Sequence, residues 1–464
     1  MLRLRTRGSS PSVEGRHSGI AFGPTSLSCT PLSLVAVLRK YRGQDLHTNA
    51  ARWLRRPVPH AAEPKPSLTL GTVDHAPEPS LRHRPIRVLV VTASFLPELG
   101  GIETHVHEVT RRLVTRGDLD VTVLTTDRSG TRPTSEKYEG FTVLRCRSYP
   151  KRRDYYLAPA IYRHIHENQY DLVHCQGIHT AVPILAMLAA RRKHTPYVVT
   201  FHTGGHSSGF RRRIRAAQWR ALSPLLRSSA LLVAVSRFEQ RMFQRACGLE
   251  EAQFRIVQNG GDLPAGVGRS DIIPGRIISS GRLERYKGHH RVIEALPIVR
   301  QSIPEATVHI LGAGPYEDEL RSLISRLGLE EFVTIEFIPP DDRERMAQTL
   351  GTAGALAALS EYEAHPVAVM EALALGVPTV GLDTAGIGDL IEEGRVEGVP
   401  RDASPETIAR NLVAALEGRH VSSPGNLPTW DLPTWDLAAS DLARVYMEAI
   451  RASPEPSSSG MRRA

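Results

Sequence analysis

Ile86-Arg-Val-Leu-Val-Val-Thr-Ala-Ser-Phe-Leu-Pro-Glu-Leu-Gly-Gly101 runs directly into Ile-Glu-Thr-His-Val-His-Glu-Val-Thr-Arg-Arg-Leu113. Residues 87–92 are the nearly unbroken apolar run of a parallel strand buried on both faces. Ile102, Val106, Val109 and Leu113 then fall on one face of a helix expected over residues 102–116. A buried strand that passes through a glycine turn into an amphipathic helix is the repeating unit of a doubly wound α/β domain.

Outward from this unit the pattern repeats. Strands are expected at 121–125, 142–145, 172–175, 197–201, 231–235 and 255–257, with helices between most of them, including one over 180–191. A Gly, Asp and Pro-rich stretch interrupts the alternation, and it restarts at 276–279, with further strands at 307–311, 333–335, 354–358 and 379–381. The reading is α/β: two Rossmann-like doubly wound domains, 85–262 and 276–435, joined by a linker at 263–275 and facing across a cleft. An amphipathic helix at 436–451 and a disordered tail at 452–464 complete it. Pro-Thr-Trp-Asp-Leu occurs twice within 427–437 as a local duplication.

At 464 residues the chain is too long for one core. The net charge of +9 suggests nucleic acid until it is divided along the chain: residues 1–84 hold 13 Lys and Arg against 5 Asp and Glu, the rest 45 against 44. The folded part is close to neutral, and residues 1–84 read as a disordered basic extension, so no nucleic-acid partner is expected. No apolar run approaches the roughly 20 residues of a membrane-spanning helix. Cys29, Cys146, Cys175 and Cys247 show no paired spacing, which suits reduced thiols in a cytoplasmic protein and offers no zinc site.

Five motifs carry chemistry. Gly100-Gly101 opens the first helix, where two glycines let backbone amides approach a phosphate; a simple turn is the plainer reading. Arg282 and Lys287 lie between a strand and a helix and could converge on a diphosphate, or else be solvated surface groups. Only six of the 58 basic residues are lysines, which singles out Lys287. Gly312 and Gly314 repeat the strand, glycine turn and helix pattern one strand later. His202 stands at the carboxyl end of an apolar strand, where a polar group points toward the cleft. Glu363 and Glu371 are eight positions apart across a loop-to-helix junction, which on a helix is two turns and about 12 Å along one side. Such a pair can grip two ends of one ligand, and solvated helix carboxylates are the alternative. Separately, Arg211, Arg212 and Arg213 with Trp219 could touch an anionic membrane from the cytoplasmic side, or belong to a helix packed on the first domain.

Taken in order, residues 97–101, 200–202, 257–262, 281–288, 312–315 and 363–371 resemble the retaining glycosyltransferases of family four, which have the GT-B fold. The likeness spans about residues 86–451. It implies a hexosyl transfer from a nucleotide-diphosphate sugar, a co-substrate and not a cofactor, to a glycan, lipid-linked or small-molecule acceptor, with no metal. The first domain would hold the acceptor and the second the donor, and the last helix would cross back over the first domain. Glu371 would meet the ribose, Arg282 and Lys287 the diphosphate, and Glu363 the donor sugar, with His202, Gly100 and Gly101 closing the site. Where many members have Gly-aromatic-Gly after the first Glu, this chain has Ala364-His365-Pro366, and His365 is expected to supply the missing hydrogen bond. A catalytically silent GT-B protein that binds a nucleotide sugar or glycan is the alternative.

Overall fold

In a computed structural model of the chain, the described residues are 84–98, 100–150, 157–203, 209–261, 263–264, 268–269, 271–339, 342–419 and 432–453, without the side chains of 209–216. The basic extension up to residue 83, the side chains of Arg211–Arg213 and most of the expected tail lie outside them. The first sheet contains β1 (Ile86–Val91), β2 (Leu119–Asp127), β3 (Ser135–Tyr138), β4 (Phe141–Arg147), β5 (Leu172–Gln176), β6 (Tyr197–Thr200), β7 (Leu231–Ala234) and β8 (Phe254–Ile256). Their order is β3-β4-β2-β1-β5-β6-β7-β8. All pairings are parallel except that of β3 with β4.

β3 was not anticipated. It is a short polar edge strand, and Glu139 (φ 44°) and Gly140 (φ 89°) turn it back onto β4 as a two-residue hairpin. The helices of this half are α1 (Gly101–Thr115), α2 (Pro159–Glu167), α3 (Ala181–Lys193), α4 (Gly209–Arg227) and α5 (Arg237–Cys247).

The second sheet contains β9 (Arg276–Ser280), β10 (Thr307–Leu311), β11 (Val333–Glu336), β12 (Ala355–Ala358), β13 (Thr379–Leu382) and β14 (Glu397–Val399). Their order is β11-β10-β9-β12-β13-β14, parallel throughout. Its helices are α6 (His289–Ser302), α7 (Glu317–Leu327), α8 (Arg343–Gly351), α9 (Val367–Ala374), α10 (Ala385–Glu392) and α11 (Pro405–Leu416). Apolar clusters cover both faces of this sheet, as a parallel sheet requires.

The last helix, α12 (Trp435–Arg451), belongs to the first sheet's core and not the second's. Trp435, Leu442, Val445 and Tyr446 pack with Val88, Val106, Val109 and Leu113. Ion pairs from Arg112 to Asp436 (2.9 Å) and from Arg255 to Glu448 fasten its two ends. Trp219 decides between the two readings of its segment in favour of the packed helix: it is 8% exposed and its ring lies 4.8 Å from that of Phe243, because the spacing that buries Leu222 and Leu226 turns it into the core. It is therefore not a surface anchor for a membrane.

The chain passes between the halves at Asn259–Gly261, where space is the limiting quantity. A Cβ on Gly260 would lie 2.2 Å from the Trp435 backbone nitrogen, and one on Gly261 2.4 Å from the Met370 carbonyl. Gly260→Ala is expected to cost roughly 1–3 kcal/mol by forcing α12 away from the crossover. Urea unfolding checks this, and an unchanged midpoint would show that α12 yields without cost.

Candidate functional site

Parallel sheets aim their carboxyl-end loops the same way, so the turns after β1, β6, β9, β10 and β12 hold the candidate residues. Gly100 precedes α1 with an extended backbone, so φ does not require glycine there. Space does: a Cβ would lie 2.7 Å from the Glu103 carboxylate, which accepts a hydrogen bond from the Ser94 hydroxyl. Gly101 faces open space. The carboxylate over Gly100 is thus the chain's own, and burial raises the Glu103 pKa against the Ser94 hydrogen bond.

In the second half, the turn after β9 places Lys287 against Glu363, and the two form an ion pair across 76 positions of sequence. Gly288 (φ 78°) makes this possible, since a Cβ there would lie 2.0 Å from the Leu359 carbonyl oxygen. Burial disfavours the Lys287 charge, but Glu363 outweighs it and raises the pKa above the ordinary lysine value. Ser360 also donates to Glu363 (3.2 Å). Arg282 is 70% exposed in its side chain and rests 3.0 Å from Glu284. At Gly312 and Gly314 the space a side chain would need is taken by the chain's own backbone. A Cβ on either would strike the backbone of residues 281–283, and the Gly312 amide donates to the Glu336 carbonyl (2.8 Å), so they press two adjacent turns together.

The expected geometry of the glutamate pair is corrected. Pro366 stands just outside α9 as its cap, with φ −76° and an extended ψ of 113°, and it also disfavours helical backbone at His365 before it. Glu363 therefore sits on an extended loop, and only Glu371 is helical. Glu371 is 3% exposed and paired with Arg343 at the start of α8. His365 is also buried, and neither of its ring nitrogens has a hydrogen-bond partner.

His202 stands at the end of β6 as expected, with φ 48° and 8% exposure. Its Nε2 meets Gln176 Oε1 at 2.7 Å, and its ring packs edge-on against His105, 4.6 Å between centroids. His105 Nδ1 donates to Asn259 Oδ1 (2.9 Å), whose amide nitrogen donates to the His365 carbonyl (3.0 Å). His174 lies between the Tyr446 and Thr200 hydroxyls, 2.7 Å from each. These histidines link β5, β6, α1, the crossover and the loop before α9.

Sequence reasoning passed over Gln176, His105, Asn259, Arg343, Glu239 and Asp389. Glu239 had a signal: Ser236-x-x-Glu239 has the pattern of a capping box, of which the Ser236 half forms, its hydroxyl accepting from the Glu239 amide (3.2 Å), while the Glu239 carboxylate turns to Thr203 and Val235. The others act through partners more than a hundred positions distant or on unrelated turns, which no local pattern marks. Among the described residues, no three of His, Cys, Asp or Glu are grouped to hold a metal ion, and no helix is long and apolar enough to cross a membrane.

The sequence model of Glycosyltransferase Family 4 matches residues 99–263, and that of Glycosyl transferases group 1 matches 274–423. Glycogen synthase of Mycobacterium tuberculosis is 28% identical over 407 residues, covering 80% of this chain and 97% of that protein. GDP-mannose:cellobiosyl-diphosphopolyprenol alpha-mannosyltransferase of Xanthomonas campestris is 25% identical over 367 residues, covering 75% and 93%. Among solved structures, Anabaena HepE in complex with UDP and glucose superposes with a TM-score of 0.61 at 19% identity, covering 78% of this chain and 99% of that one. Sucrose-phosphate synthase from Thermosynechococcus elongatus gives 0.63 at 18% identity, covering 79% and 100%.

Burial lowers the pKa of His105 to about 4 and those of His174 and His365 to about 3, from an ordinary value of 6.5. Between those values the unfolded chain binds protons that the folded chain refuses. Stability is therefore full above about pH 6.5 and lost as pH falls toward 4, by up to about 1.4 kcal/mol per pH unit for each histidine. Urea titrations at pH 7.5 and 5.5 measure the difference; equal stabilities would contradict the neutral cluster.

Proposed function

This chain belongs to the group 1 glycosyltransferases of family four, and on that footing we propose that it moves a hexosyl unit, with retention and without a metal ion, from a nucleotide-diphosphate sugar to a glycan or lipid-linked acceptor. The observation that carries the reading is the Lys287–Glu363 pair, which joins the turn after β9 to the loop after β12 at the carboxyl edge of the second sheet. A diphosphate placed there takes Lys287 as a point charge and Arg282 as a fork. Glu371, held by Arg343, accepts from the ribose hydroxyls. Glu363 holds the sugar, and His202 with the Gly100–Gly101 turn closes the site from the first half. Small-molecule acceptors are the less supported option, since the Xanthomonas relative is named for a polyprenol-linked one.

In the proposed reaction the bond from the anomeric carbon to the diphosphate breaks while the acceptor oxygen bonds to that carbon from the same face. The acceptor's proton passes to a diphosphate oxygen. Positive charge grows on the sugar and negative charge on the leaving group, so fixed cations around the diphosphate lower the barrier without having to reorganise. Glu363 positions and stabilises the sugar and removes no proton.

Thermal melting with UDP, GDP, ADP and TDP tests the donor site. One nucleotide at about a hundred times its dissociation constant should add about 2.7 kcal/mol of stability. Lys287→Ala should abolish that shift, while Glu363→Gln keeps it and loses sugar transfer. A Lys287→Ala protein that still responds like the parent would remove the diphosphate assignment.

A further inference from the structure

Helix α5 touches both halves of the site without contributing a group to either. Toward the first half, Glu239 is fully buried; its Oε1 accepts from the Thr203 amide (2.7 Å) and hydroxyl (2.5 Å), and its Oε2 from the Val235 amide (2.9 Å). Thr203 follows His202, whose left-handed backbone needs such a restraint. Toward the second half, the first turn of α5 is capped from another sheet. Asp389 of α10, 3% exposed, accepts from the Phe238 amide (2.7 Å) and from Arg241 (2.8 Å). Arg237 adds a bond of 3.4 Å to the Asp389 carbonyl and an ion pair of 3.3 Å to Glu393. A carboxylate at a helix N-terminus satisfies an orphan amide and the positive end of the dipole together.

The same α10 is also the backing of the Glu363 loop. The Gly386 amide donates to the Glu363 carbonyl (2.7 Å), and Thr384 donates to the Ser360 carbonyl (3.0 Å). A Cβ on Gly386 would lie 1.8 Å from the Ala364 carbonyl oxygen, so this contact admits no slack. Tyr362, beside Glu363, sets its ring edge-on against Phe238 of α5 (5.6 Å between centroids), and its hydroxyl meets Met242 Sδ at 3.2 Å. A continuous chain of contacts therefore runs from Glu363 through α10 and Asp389 to α5, and on through Glu239 to His202.

We propose that Asp389 is a positioning residue for sugar transfer: by capping α5 from the second half it fixes the spacing of the Glu363 loop from the His202 loop. This rests on the proposed roles of Glu363 and His202. Asp389 lies in the interface of α10 with α5, so its removal misplaces the loops relative to each other and leaves the donor's nucleotide contacts intact.

The test measures nucleoside-diphosphate release from UDP-glucose and from GDP-mannose, and binding of UDP and GDP by calorimetry, in the full chain. Asp389→Ala should lower kcat about ten- to a hundredfold while leaving the affinity for the bound nucleotide unchanged. Asp389→Asn, which still accepts from the Phe238 amide, should recover most of that rate and serves where the alanine variant does not fold. Parent kcat in a folded Asp389→Ala protein overturns the proposal, as does a parallel fall in nucleotide affinity, which would mark damage within the second half. Glu363→Gln run alongside separates the two ideas: a parent rate there removes the proposed role of Glu363, whereas a lost rate with Asp389→Ala intact overturns the spacing role alone.

Discussion

At Gly260 and Gly261 the chain passes between the start of α12 and the helix that carries Glu371, with no room for a methyl group on either side. Much of the architecture depends on this close approach. It sets the return helix against the first core, and it brings Asn259 between His105 of the first half and the His365 carbonyl of the second. An amide suits that place because it donates on one side and accepts on the other. Either partner left alone would be a buried polar group without a bond, at a cost of about 1–3 kcal/mol.

The free site is electrically self-sufficient. Lys287 is held by Glu363, Arg282 by Glu284, and Glu371 by Arg343. Even the start of α1 has a carboxylate of its own, from Glu103. Under the proposed function, a phosphorylated ligand would therefore enter by exchanging partners and not by filling unmet charge. Such exchange limits affinity, yet it keeps cations and carboxylates in ordered positions before the ligand arrives.

Much of the fold was legible because parallel strands read as apolar runs: the expectations at 307–311 and around 231–235 differ little from β10 and β7. Those missed, β3 and β14, are short edge strands whose burial is too partial to leave an apolar run. That Lys287 and Glu363 lie on neighbouring strand-end turns was legible because such turns converge in this topology. Glu371 and His365 were singled out by position, but their burial was not foreseen, since it depends on Arg343 and on the crossover. Helical spacing misled for the glutamate pair because Pro366 delays the helix past Glu363. Trp219 left two readings open because an aromatic beside arginines looks interfacial until its core-facing register is known.

The return helix also has a consequence for biosynthesis. The first sheet is translated first, yet the apolar side of β1 and α1 is closed by Trp435, Leu442 and Tyr446, which emerge only after the whole second sheet. During translation the nascent first half carries an open hydrophobic groove, and its core cannot be completed until the whole second sheet has been made. The last step of core formation thus waits for residues made after the second sheet, and for that interval the groove exposes apolar surface of the kind on which nascent chains associate.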